Sequence, residues 1–339
     1  MRKSRESRLE PESNVVALSV DAAATSQLRR LSLRERLTPY IAYAALVALL
    51  ILFGSLAPRL FLTEQNFRVI LQNSAVQCLV AFGMTFVIII GSIDLSVGSV
   101  MAFVGVVCAL ASTVVGGAAA FFLAPVIGAL IGLGNGAVYV YGYIPSFIVT
   151  LGALSIFRGL AIIISGGFPI QIPVTGLFPA VGNPPVPILI VVGVGLVASF
   201  ALHKMVFGRY TLAVGGAEDK ARMLGLPVDR LKLVVFTISG ALAGLGGGVL
   251  TAEIGAGSPT MAIGFELTAI SAVVIGGTPL TGGDGSILGT VVGSLVMATL
   301  ANGMVILDIP TNVQIVMTGI VLVGAVLLSM QRGKIAIMK

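Results

Sequence analysis

Apolar residues gather into long unbroken runs, separated by short joints that are polar or rich in glycine and proline. A bilayer crossing needs about 20 mostly apolar residues. Runs of about that length lie at 39–57, 73–91, 97–115, 118–140, 144–164, 187–203, 232–252, 285–303 and 312–330. A shorter apolar run covers 266–278. The pattern predicts an all-α, polytopic integral membrane protein with about ten spanning segments, some broken or re-entrant.

Composition agrees. The chain is 57% hydrophobic and 10% charged, against about 25% charged in soluble domains. A soluble enzyme and a disordered chain are both excluded, because neither could hide so much apolar surface. Gly is 43 of 339 residues, as close-packed spanning helices require. One histidine (His203) and two cysteines (Cys78, Cys108) cannot build a His/Cys metal centre or a disulfide framework. No metal or cofactor is expected, and both cysteines are expected as small buried apolar groups.

Charge placement sets the topology. Seventeen of the 20 Lys and Arg lie in three segments: 1–38, 204–232 and the tail after 330. By the positive-inside rule all three face the cytoplasm. An even number of crossings must then separate each pair, so 266–278 crosses or dips in and returns. Both termini are expected inside. The basic clusters are thereby read as a topology signal and not as a nucleic-acid surface. Residues 1–38 are expected to be a disordered basic cytoplasmic tail, 39–330 the transmembrane domain, and 331–339 a second cytoplasmic tail. The first arginines are followed by no short apolar stretch with a cleavage site, so 39–57 is expected to remain in the mature chain. The proline-rich stretch 166–187 falls outside, as an ordered external loop or a plain connector.

Two segments look alike: VIIIGSIDLSVGSVMAFVG (87–105) and VVIGGTPLTGGDGSILGTVVG (273–293). Each has an apolar run, a Gly/Ser/Thr-rich break with one aspartate, then small apolar residues. Breaks of this kind are tolerated at membrane depth only where they line a cavity or are buried in protein. Asp94, with Ser96 and Ser99, either lines a pathway and caps a half-helix or forms a surface turn. Asp284, among glycines, reads as a surface turn. Arg158 stands deep in its run, so it either faces a wet interior or snorkels outward. Glu253, Glu266 and Asp308 read as interfacial. The pairs Gly128/Gly132, Gly132/Gly136, Gly240/Gly244 and Gly289/Gly293 read as helix-packing faces.

The polar connector around 204–232 holds a short helix-forming stretch, EDKARML (218–224). Gly215 and Gly216 precede it, Gly225 follows as a C-cap would, and Pro227 stops continuation. A short charged helix (Glu218, Lys220, Ala221, Arg222) on the cytoplasmic face is either a docking surface or an ordinary loop.

The chain resembles the membrane subunit of ribose-type ABC sugar importers, in the carbohydrate branch of the branched-chain amino acid and sugar permease superfamily. The matching pieces are GSIDLSVGS (91–99), NG (135–136), PSFIVTLGALSIFRGLA (145–161), GRYTLAVGG (208–216) with KARMLG (220–225), AISAVVIGGTPLTGGDGSILGT (269–290), NG (302–303) and Gln314. The resemblance covers roughly 40–330. It implies a pore built from two permease subunits, a periplasmic solute-binding protein that delivers the sugar, and a cytoplasmic ABC ATPase that binds the ATP. It implies a bacterial inner-membrane location and no enzymatic activity in this chain. It makes Asp94, Ser96, Ser99, Asn135, Arg158 and Asn302 candidates for the pathway or its supports. Gly215, Gly216, Glu218, Lys220, Ala221, Arg222 and Gly225 become ATPase-coupling candidates. The chain departs from the family's frequent pattern at Ala217, Thr268, Asp308-Ile309 and Ser329.

No phosphate loop of the form G-x-x-x-x-G-K-[ST] is present, so ATP must be bound elsewhere. A path with few fixed charges and many hydroxyls suits a monosaccharide. Nucleosides or branched-chain amino acids would suit it nearly as well. An ion-coupled secondary transporter would also explain the breaks, but would not need the charged docking segment. An intramembrane enzyme would need paired catalytic groups that the sequence lacks.

Overall fold

A computed structural model describes residues 40–329. The expected tails at 1–38 and 331–339, and the side of the membrane on which the termini lie, fall outside the described residues. The body considered below runs from Ala42.

Among the described residues the regular structure is helical apart from two two-residue strands. The elements are α1 (Tyr40–Leu56), α2 (Pro58–Phe61), α3 (Glu64–Ile89), α4 (Val97–Ser112), α5 (Gly117–Tyr141), α6 (Ser146–Ser165), β1 (Ile170–Gln171) and α7 (Leu177–Val181). They continue with α8 (Val186–Lys204), α9 (Val206–Gly216), α10 (Glu218–Met223), α11 (Val228–Ile254), β2 (Ala256–Gly257), α12 (Phe265–Ile275), α13 (Ile287–Ile306) and α14 (Thr311–Ser329). Six helices (α3, α5, α6, α8, α11, α13) are long and apolar enough to cross a membrane, and α1, α4, α12 and α14 contribute shorter apolar stretches. This is the architecture of a multi-pass membrane protein.

The interior is built on α11, which packs on α5, α3 and α4. The α5–α11 contact is set by glycine. A Cβ on Gly128 would collide with the Gly240 carbonyl oxygen, and one on Gly240 with that of Gly128. Gly132 meets Phe236 in the same way, and Gly244 meets Ala124. The two glycine pairs read separately from the sequence therefore interlock backbone to backbone. Gly289 and Gly293 of α13 likewise sit against Gly276 and Ala272 at α12. Outward faces of α6 and α8 expose Ile163, Leu196 and Val197, the residue types that suit lipid contact.

The proline-rich loop is ordered by pairing. Strand β1 lies antiparallel to β2, with Ile170 opposite Gly257 and Gln171 opposite Ala256. Phe178 of α7 is fully buried and stacks near Phe121 of α5, ring centroids 5.9 Å apart. Gln72 of α3 donates to the Gly182 carbonyl (3.1 Å) and holds the far end of the loop.

Candidate translocation and coupling site

Helix α4 has 16 residues and α12 has 11. At about 1.5 Å per residue they reach about 24 and 16 Å, short of a hydrocarbon core of about 30 Å. Each is preceded by an irregular segment, 91–96 before α4 and 255–264 before α12. Such irregular backbone needs partners inside the protein, and it finds them.

In the first break, Ile93 N–H donates to Ser146 Oγ (3.3 Å), and Thr150 Oγ1 donates to the Ile93 carbonyl (3.3 Å), both from α6. Asp94 is 1% exposed. Its Oδ1 accepts from Ser96 N–H (3.0 Å) and Ser96 Oγ (2.6 Å), and its Oδ2 accepts from Ser239 Oγ of α11 (2.9 Å). Asn135 of α5 donates to Ser96 Oγ (3.0 Å). Ser99 donates to the Ser96 carbonyl (2.8 Å). Asp94 is therefore no exposed turn. The N-cap of α4 is Ser96, whose side chain makes no capping bond because it turns to Asp94 and Asn135 instead. Ser239 stands about 16 Å into α11 from Val228, so α4 begins well inside the body.

The segment before α12, 255–264, includes strand β2. Its carbonyls at Pro259 and Met261 accept from Arg158 Nη1 (2.7 and 2.8 Å). Arg158 thus anchors the segment and does not reach away from it. The segment ends beside the start of α4: a Cβ on Gly98 would lie 2.5 Å from Glu266 Oε2 and 2.6 Å from the Ala262 carbonyl oxygen. Glu266, in the first turn of α12, sits against the start of α4. The beginnings of α4 and α12, whose first N–H groups carry partial positive charge, lie side by side. Half-buried Arg158 and Glu266 lie in the same region.

Asn302 lies apart, on α13, buried, with Oδ1 unpartnered. Gln77 Nε2 and Ser294 Oγ are also buried and unpartnered. Thr85 and Thr290 hydrogen-bond each other between α3 and α13 (2.8 Å). The described residues contain no cluster of His, Cys, Asp or Glu suited to a metal ion.

The two glycine-rich breaks read from the sequence, at 91–96 and 276–286, approach the root of the charged helix. Gly283 N–H donates to the Ile89 carbonyl (2.9 Å). A Cβ on Gly215 would collide with that same carbonyl and lie 2.6 Å from Gly283 N. Gly282 faces Gly91 N at 2.8 Å and Gly215 O at 3.1 Å by the same measure. Gly216 lies against Gly283. The end of α3, the 276–286 turn and the end of α9 thus meet through bare backbone. Asp284 is exposed on that turn and accepts from Gly285 N–H (2.8 Å).

Helix α10 follows at once. It ends in a Schellman motif: Gly225 has φ +77°, its N–H donates to Arg222 O (2.9 Å), and Leu226 N–H donates to Ala221 O (3.0 Å). Ala221 is buried beneath the helix, while Met223 and Leu224 at its tip are 86% and 81% exposed. Arg222 bridges Glu218 (3.1 Å) and Asp229, and Lys232 Nζ reaches Glu218 Oε1 (2.7 Å). Burial pushes the Glu218 carboxyl upward, but the Lys232 and Arg222 cations beside it together hold it below the usual carboxylate range.

The profile described as branched-chain amino acid transport system / permease component matches residues 67–326. The chain belongs to this permease family. The ribose import permease protein RbsC of Bacillus subtilis (strain 168) is 37% identical over 316 residues, covering 88% of this chain and 94% of that protein. The D-allose transport system permease protein AlsC of Escherichia coli (strain K12) is 38% identical over 297 residues, covering 85% and 90%. The L-arabinose ABC transporter permease protein AraH of Azospirillum brasilense is 38% identical over 293 residues, covering 84% and 86%. No solved structure matches the chain.

Both breaks and the whole of α9–α10 of this permease lie within the family match. Sequence reasoning missed Ser239, Lys232 and the Met223–Leu224 tip. Lys232 was visible only as one more positive charge, and Met223–Leu224 only as helix-forming residues. The capping signal at Gly225 does orient α10, so the exposure of its last apolar residues was within reach of the sequence.

Proposed function

We propose that this permease is the membrane subunit of an ATP-binding-cassette importer for a monosaccharide. It crosses the bacterial inner membrane ten times with both termini inside. The ten apolar helices and the charge distribution support that count, with α4 and α12 crossing together with the irregular segments that precede them. The cargo passes where the beginnings of α4 and α12 meet, at the bonded set Asp94–Ser96–Asn135–Ser239 and beside Arg158 and Glu266. Hydroxyls, amides and half-helix N–H groups suit a neutral polyol, which offers both donors and acceptors. The names of relatives that carry ribose, D-allose and L-arabinose support a sugar.

The observation that carries the reading is the construction of α10. A helix of six residues is too short to stand alone in water. Here it is capped, clamped by three ion pairs, and joined through Gly215 to the end of α3 and the 276–286 turn, yet it holds Met223 and Leu224 out into solvent. A surface that offers two adjacent exposed apolar side chains ringed by charge is a docking surface. We assign it to a cytoplasmic ATPase, which supplies the nucleotide site that this chain lacks. A second permease subunit completes the pore, and a periplasmic binding protein meets the ordered 166–187 loop. No group here does chemistry; the permease contributes the path and the lever.

The test is isolation of the tagged chain from its own membrane. The account expects an ATPase subunit to co-purify with it, and Met223→Asp to lose that subunit while the permease still inserts. Retention of the ATPase by Met223→Asp together with Leu224→Asp would remove the docking role.

A further inference from the structure

We propose that Lys232 is a positioning residue which ties the lever helix α10 to the broken segment 91–96, so that a displacement of α10 is delivered to Asp94 and its partners. The inference rests on the coupling role proposed above for α10.

Lysine is almost never buried unless paired. The Lys232 side chain is 8% exposed, and its ammonium has two neighbours. One is Glu218 of α10 (2.7 Å). The other is the ring of Tyr139 of α5, whose centroid lies 4.7 Å away, a cation–π distance. The Tyr139 phenol oxygen in turn accepts from Ser92 Oγ (3.2 Å). Ser92 is buried in the first break, two positions before Asp94. The line Glu218–Lys232–Tyr139–Ser92 therefore runs from the docking helix to the half-helix entrance without an intervening solvent-exposed group.

Its two middle members stand on one rigid unit. The interlocked glycines of α5 and α11 leave these helices no room to slide. Tyr139 also packs on Phe236 of α11, rings 5.5 Å apart, and Gly136 lies against Leu233. Tyr139 and Lys232 thus form a fixed pivot between α10 and the 91–96 segment. Stability alone does not account for the arrangement, because a buried ion pair gives little net stability over a packed apolar group. A buried cation does fix where its partner must sit. Coupling of this kind shows as a response of the break to the state of α10.

The complete importer, purified with its ATPase and held in lipid nanodiscs, is followed by hydrogen exchange with ADP and with ATP plus vanadate. In the unaltered protein we expect the amides of 88–97 to change their exchange between the two nucleotide states. Lys232→Met should lose most of that difference while α10 stays protected by the ATPase. Lys232→Arg, which keeps the cation, should retain it. Tyr139→Phe removes only the phenol oxygen, keeps the ring on Phe236, and should lose part of it. A full response at 88–97 in both Lys232→Met and Tyr139→Phe overturns the proposal, as does no response in the unaltered protein. An α10 that gains no protection from an ATPase would count against the coupling reading itself and bring the pivot down with it.

Discussion

Ser239 of α11 donates a hydrogen bond to Asp94 Oδ2 over 2.9 Å. This contact sets the depth at which α4 begins, because it fixes the break before α4 to the interior of the longest helix of the body. It also closes a network in which Asn135 and Ser96 share the remaining bonds.

Removing the acceptor should therefore cost both fold and function. Asp94→Ala leaves Ser96 and Ser239 without their partner, and an unsatisfied buried polar group costs about 1–3 kcal/mol. Thermal unfolding in detergent should fall accordingly, and uptake should be lost. Asp94→Asn keeps an acceptor oxygen and should unfold closer to the unaltered protein.

Gly240→Ala should destabilise the body. Its Cβ would meet the Gly128 carbonyl, and overpacking of this kind costs about 1–3 kcal/mol. The same change at Gly319, which has nothing within 4 Å of the position of a Cβ, should leave the unfolding temperature nearly unchanged. Unfolding curves of the two variants side by side check the contrast.

Most of the helical framework was legible in the chain. The runs 118–140, 187–203 and 312–330 end within one residue of α5, α8 and α14. The marginal run 266–278 is α12, cut short at Gly276 where the glycine turn begins. The start of α3 was not legible from hydropathy. Thr63 caps the helix by accepting from Asn66 N–H (3.2 Å), and Glu64 and Arg68 pair across its exposed first turns. Hydropathy sees those polar residues as loop.

The candidate site was legible in its parts and not in its assembly. Helical periodicity places Gly128 and Gly240 on faces of their own helices, but it says nothing of which faces meet. The α11 partner of Asp94, Ser239, lies 145 positions away, and the partners of Arg158 lie 101 and 103 positions away as backbone carbonyls, which any residue could supply. Lys232 looked like a topology charge because its burial is created by α5 and α10 together.

The joint at Gly215 gives a separate prediction. A side chain there must displace the Ile89 carbonyl and the Gly283 amide. Gly215→Val is expected to lower transport more than it lowers co-purification of the ATPase, since Met223 and Leu224 remain exposed on α10. Comparing ATP hydrolysed with sugar moved, per complex, separates this uncoupling from simple loss of protein.

Acid should loosen the clamp on α10. The Glu218 carboxyl is held below its ordinary value, so its contribution is complete above an unfolded pKa of about 4.3 and is lost as pH falls through the lower folded value. Glu218→Gln should remove that part of the pH dependence. Thermal unfolding followed from neutral pH down past about 4, for both proteins, should show the unaltered chain losing the larger share of its stability on acidification.

The most direct measurement is uptake by the purified complex in proteoliposomes, with its binding protein outside the vesicles and ATP enclosed with the ATPase face. Labelled D-ribose, D-allose and L-arabinose serve as cargo. The account predicts that at least one accumulates only when hydrolysable ATP is present, and that Met223→Asp with Leu224→Asp abolishes the accumulation. Accumulation by the chain alone under an ion gradient, without ATP or an ATPase subunit, would contradict it.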